Sequence, residues 1–346
     1  MKSVAMLCLA ASILGCVGFS QEQPSAPERA PLLLVQEIPL PNVKGRIDHF
    51  TFDANRKRVM GAALGNNTVE VVDTFAGRTI TSIAGAAATS IAGAAAPQGL
   101  AYVSELNKLF VANGADGKLR VYDGDTFKLL HTVDIGEDAD NVRYDPAEKR
   151  VYVAYGGDEE GGIAVIDADT GKRLEDTARL DAHPESFQLA ISKPVIYANI
   201  ATKAKIALID RTTHKVTDWP LKSGKANYPM ALDEADHRLF VVTRKPGQVV
   251  VLNSDTGVMV ANVPSVNDAD DIYYDTGRKR IYVPGGEGFI SVIQQTDADH
   301  YRPLAKVPTT IGARTGLWFE KRDRFYLGVP ASSKQGAALW VFAPED

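Results

Sequence analysis

A unit of about 43 residues recurs along this chain, and that period restricts the fold more than any single motif does. Aligning the most regular runs gives VEVVD, LRVYD, IAVID, IALID, VVVLN, ISVIQ and LWVFA. Their fourth residues are Val72, Tyr122, Ile166, Ile209, Leu252, Ile293 and Phe342, separated by 50, 44, 43, 43, 41 and 49 residues. A second set repeats in step with the first: RVMGAAL, KLFVANG, RVYVAYG, PVIYANI, RLFVVTR, RIYVPGG and RFYLGVP. Ala139 to Leu174 shows the whole unit. A run at Val142–Tyr144 meets a polar turn at Asp145–Lys149, and a second run spans Val151–Tyr155. A Gly/acidic loop leads to a third run at Ile163–Ile166, and a D-x-D-T-G turn opens the fourth. Short runs rich in Val, Ile and Tyr between turn formers are antiparallel strands. Four such strands followed by a restart make one propeller blade. The expectation is an all-β, seven-bladed β-propeller of four-stranded antiparallel blades.

The two ends predict how the ring closes. The last copy stops at its third strand, LWVFAPED, while an orphan strand at Leu32–Leu40 precedes the first copy. That orphan matches fourth-strand runs such as Leu129–Ile135, so it is expected to complete blade seven and remove the exposed edges of an open ring. The wide first gap also has a visible origin. Thr81–Ala88 is repeated letter for letter as Thr89–Ala96, an insertion placed on the rim or as a small flap near the mouth.

The runs N-K-L-F-V-A-N (107–113) and K-R-V-Y-V-A-Y (149–155) each precede a V-x-V-I-D-x-x-T-G-type segment. In this the chain resembles the YVTN repeat of YncE-like propeller proteins, over essentially all of 32–346. The resemblance implies the fold and little chemistry, because the matching letters are strand and turn residues. Blade four (KPVIYANIATKAKIALIDRTTH) departs most, lacking both the D-G-K-R and the T-G turns.

Residues 1–20 read as an export signal: Lys2, an apolar run from Val4 to Val17, and Gly18 and Ser20 placed for cleavage before Gln21. Ile13-Leu14-Gly15-Cys16 offers a competing lipobox, which would make Cys16 a lipid anchor. Residues 21–31 (QEQPSAPERAP) read as a flexible linker to the propeller at 32–346. No other stretch approaches the ~20 apolar residues of a transmembrane span. Both cysteines, Cys8 and Cys16, lie in the signal, which excludes disulfides, cysteine nucleophiles, thiolate zinc sites and c-type haem from the remainder. A periplasmic or secreted bacterial monomer is expected. Its formal net charge of −5 argues against a nucleic-acid partner.

Propeller geometry sends the residues before each first strand to one mouth of the central channel. Here they are Asp48-His49, Gln98-Gly99, Asp140-Asn141, Glu185-Ser186, Tyr228-Pro229, Asp270-Asp271 and Thr315-Gly316, with Arg46, His183 and Arg314 at the same level. Asp48, Asp140, Glu185 and Asp270 are candidate ligands for a divalent metal, calcium or magnesium, although no cofactor is required by the sequence. Adding His49 and His183 would shift the preference toward a transition metal. His49, His183 and Arg314 are candidate catalytic groups; Arg46, Asn141, Tyr228 and Asp271 are candidate ligand contacts. Two functions follow. One is an exported binding or scaffold protein taking a small molecule or protein at an acidic mouth. The other is a metal-dependent periplasmic hydrolase or lyase, lactonase-like by analogy of fold alone. A plainer reading of the same residues is a polar, water-filled channel. His131, His214, His237 and His300 fall in outer strands and turns, and no G-x-S-x-G, H-E-x-x-H, P-loop or dinucleotide fingerprint occurs in a suitable context.

Overall fold

Each polar turn folds its two flanking runs back on one another, and a buried or half-buried carboxylate holds the turn. Asp53 Oδ1 accepts hydrogen bonds from the backbone N–H groups of Asn55 and Arg56, each 3.1 Å long. Asp145, Asp233 and Asp275 repeat the arrangement. The fourth turn residue then takes the left-handed conformation: Lys57, Lys149, His237 and Lys279 have φ between 52° and 58°. His214 (φ 59°) fills the slot that Gly171 and Gly257 hold elsewhere, where only glycine escapes a steric cost.

The computed structural model describes residues 30–84, 96–175 and 177–346. The expected export signal with Cys16, most of the expected linker and residues 85–95 of the duplication lie outside the described residues. Seven four-stranded antiparallel sheets form, each meandering in chain order except the last. The chain is an all-β, seven-bladed β-propeller. In the last sheet, Leu32–Pro39 lies outside Ala338–Pro344, paired from Leu32↔Pro344 to Pro39↔Ala338. The orphan strand therefore closes the ring.

Apolar side chains form seven clusters, one at each seam between neighbouring blades. This is what period-two strands buried on both faces dictate. At the seam joining blades seven and one, Ile38, Ile47, Leu339 and Val341 pack together, and Phe52 stacks on Phe319 with ring centroids 4.1 Å apart.

Two details differ from the sequence reading. In blade four the second strand is Val195–Ile200, with Val195 facing Asp210 as Arg150 faces Asp167 in blade three. The PVIYANI alignment therefore sits one residue early, because Lys193-Pro194 belongs to the turn. In blade three the fourth strand shrinks to Arg179–Leu180, paired only to Gly161 and Gly162, with one isolated bridge at Ile166↔Arg173.

Candidate functional site

The mouth is built from loops that enter the first strands. Two share a D-A-D-[N/D] sequence, Asp138–Asn141 in blade three and Asp268–Asp271 in blade six. In both, the leading Asp turns through a positive φ (47° and 53°) and the Ala is fully buried. The small, buried Ala pins the loop so that Asp140 and Asp270 enter the hub.

Two cavities occupy the hub. A mouth chamber of about 220 Å³ is lined by Arg46, His49, Gln98, Asp138, Asp140, Glu185, Tyr228, Arg244, Asp270 and Arg314. An inner chamber of about 310 Å³ adds Asn141, Arg143, Gln188, Asp271 and Tyr273, among others, and shares His49 and Asp270 with the first. Of the candidate residues from the sequence, all but Asp48 and His183 line these chambers. Asp48 is wholly buried beside His49, and His183 Nε2 stands 3.9 Å from Asp140 Oδ2.

Charge at the mouth is paired rather than simply acidic. Asp270 carries three guanidinium partners: Arg314 Nε at 2.7 Å, Arg46 Nη2 at 3.2 Å, and Arg244 Nη2. Arg314 also donates to Asp268 Oδ1 at 2.7 Å, and Arg244 lies 3.6 Å over the Tyr228 ring centroid. Arg244 was not anticipated. Its signal was present, since it stands in RLFVVTR where the aligned runs of blades two, three and six place Gly114, Gly156 and Gly286.

A second group surrounds His49. Its Nδ1 lies 3.2 Å from Asp271 Oδ1, and Asp271 Oδ2 accepts the Gly316 backbone N–H at 2.9 Å. Its Nε2 lies 3.3 Å from Asn141 Nδ2, 3.6 Å from Asp48 Oδ1 and 4.0 Å from Asp140 Oδ1. Burial opposes a charge on His49, but Asp271 and Asp48 outweigh it and push the imidazole up to about 10. Burial pushes the Asp48 carboxyl up to about 6 against the pull of His49 and Arg46. Burial also raises Glu185, to about 7, with His183 only partly offsetting it. Asp140 is buried too, yet His183 and His49 hold it below the usual carboxylate range. Carboxylates pushed apart in this way are typical of working sites.

Among the described residues, several buried atoms here have no hydrogen-bond partner: both oxygens of Asp48, Asp140 Oδ1, Asn141 Oδ1, and both ring nitrogens of His183. Arg46 Nη2 approaches Asp48 Oδ2 at 3.0 Å as an ion pair without hydrogen-bond alignment. Buried polar atoms are rarely left unpaired, so such a cluster marks a place where a ligand or water completes the bonding. Among the described residues no three His, Asp or Glu side chains are arranged to hold a metal ion.

No protein-family model matches the sequence, and no curated protein does. Solved structures do resemble it. A chain of the mitotic checkpoint complex is 13% identical with a TM-score of 0.74, matching 94% of this chain and 99% of its own. A chain of Kuenenia stuttgartiensis hydrazine synthase is 15% identical with a TM-score of 0.72, matching 87% and 97%. U3-55K is 10% identical with a TM-score of 0.70, matching 92% and 100%. At such identities the likeness is one of fold, a fold commonly used as a scaffold or binding platform.

Proposed function

We propose that the chain is an exported binding protein, a member of the YVTN-repeat, YncE-like propellers, whose ligand is a small polar molecule held at the hub. The cluster of unpartnered buried atoms on Asp48, Asp140, Asn141 and His183 carries the reading. Each polar atom left bare would cost on the order of 1–3 kcal/mol, so a bound polar molecule that meets several of them at once is favoured. Export to the periplasm rests on the apolar leader, Val4–Val17, and the small residues behind it.

The test is a thermal-shift screen of small acids, amines and zwitterions. A binder raises the melting temperature by mass action, and the shift is expected to vanish in both Asp140→Asn and His183→Gln. A shift that survives in both variants, or a panel with no binder, would remove the hub from consideration.

A second reading, the metal-dependent hydrolase or lyase, draws on the His49–Asp271 pair, in which Asp271 orients the imidazole and Nε2 faces Asp48 and Asp140. Against a metal there, three guanidiniums already surround Asp270, and among the described residues no three His, Asp or Glu side chains are arranged to hold one. Titrating the protein with calcium or magnesium, alone and after chelation, separates the two readings. The binding reading expects no stoichiometric heat and an unchanged melting temperature.

A further inference from the structure

The inner chamber contains a cation that no carboxylate among the described residues pairs with directly. Arg143, on the first strand of blade three, donates from Nη1 to its neighbour's carbonyl, Val142 O, at 3.0 Å. Its guanidinium rests over the Phe187 ring, 5.6 Å from the centroid. Among the described residues it forms no ion pair, whereas Arg46, Arg244 and Arg314 each sit on a carboxylate. Asp271, whose charge reaches Arg143, is already engaged by His49 and by the Gly316 N–H. A guanidinium offers five donors in a planar fork suited to two parallel bonds with one carboxylate. Most of those donors have no protein acceptor among the described residues, and the half-buried side chain leaves them open to the chamber.

The space in front of Arg143 has a definite size and character. About 310 Å³ is at the small end of ligand cavities. At ~30 Å³ for each water-sized atom it holds about ten non-hydrogen atoms. Leu100, Ile272 and Leu317 supply apolar wall. We propose that the inner chamber binds a small organic carboxylate, its two oxygens forked on Arg143 and its apolar remainder against Leu100, Ile272 and Leu317. This rests on the reading of the hub as a ligand site and adds the ligand's chemical class and its anchor. A bare inorganic anion shares the charge but leaves the apolar wall uncovered.

The test is calorimetric titration of the full chain with benzoate, butyrate, inorganic phosphate and benzylamine. Benzoate and butyrate are expected to bind, with phosphate and benzylamine at least about tenfold weaker. Arg143→Gln should weaken benzoate by about tenfold or more, and Arg143→Lys, which keeps the charge but not the fork, should fall between. Phenylglyoxal labelling of the unaltered protein, read by peptide mapping, should modify Arg143 and be blocked by benzoate, so the result does not depend on the variants folding. Benzoate binding equally to the unaltered protein and to Arg143→Gln, or giving no protection, overturns the anchor while the hub reading stands. Binding of benzylamine but of no carboxylate overturns the ligand class alone. Silence from every probe overturns both.

Discussion

Replacing Glu185 by Gln should make this protein more stable in alkali, and by an amount that its surroundings fix. Glu185 lines the mouth chamber, and among the described residues its carboxylate has neither a hydrogen bond nor an ion pair. Burial raises it from 4.5 to about 7. Because the folded value lies above the unfolded one, the associated stability is fully present below about 4.5 and is lost as pH rises through about 7. At ~1.4 kcal/mol per pH unit that loss is about 3 kcal/mol near pH 8.5. Gln is a neutral isostere of the protonated acid, so Glu185→Gln should recover about 3 kcal/mol there and less than about 0.5 kcal/mol near pH 4.5. Guanidinium unfolding of both proteins at the two pH values measures the difference directly, from midpoints at constant slope. An equal effect at both pH values, or a destabilised variant in alkali, would refute the claim that an unpaired, desolvated carboxylate is stored at the mouth.

Three further outcomes are expected. Ile38→Ala, wholly buried near the end of the closing strand, should lose about 2–5 kcal/mol in the same assay; Val35→Ala on the outer edge, where Val35 is 52% exposed, should stay within about 0.5 kcal/mol. Asp53→Asn should cost about 3 kcal/mol at neutral pH by leaving Arg58 buried without its 2.7 Å partner. Asp53 is held below its ordinary value despite burial, by Arg58 and the turn N–H groups, so its stability is present above about 3.8 and lost in acid. The penalty of the variant should accordingly shrink in acid. In an NMR titration the His49 ring should stay protonated past pH 8 and titrate near 10, its stabilising contribution being full below 6.5 and lost as pH rises through that midpoint; a midpoint near 6.5 would show that Asp271 and Asp48 do not hold the charge.

The ring was legible because the repeat acts on every level at once. Strand period, turn chemistry and blade spacing all point to one answer, and the unmatched Leu32–Leu40 run told where the ends meet. Membership of the mouth was legible for the same reason, since residues preceding each first strand must gather at one face. Pairing within the mouth was not legible. Asp270 looked like a free carboxylate by position, yet Arg244 reaches it from the far end of a second strand. Which of Asp48, Asp140 and Glu185 is raised or lowered depends on burial set against the pull of two histidines and Arg46, a balance that no linear spacing encodes. Arg143 was hidden differently: its side chain occupies a strand position that in other blades carries Thr51 or Tyr273, and only the assembled hub shows it facing a cavity.

The mouth straddles the join between the chain's two ends. Arg46 touches Asp270 across 224 positions, and Thr315 Oγ1 donates to Ile47 O at 2.9 Å across 268. Whatever settles among Arg46, His49 and Asp270 therefore ties blade one to blade six across the hub, spanning the one join that polypeptide order leaves until last. Occupancy would act as a buckle, slowing the opening of the wheel there more than anywhere else on its circumference.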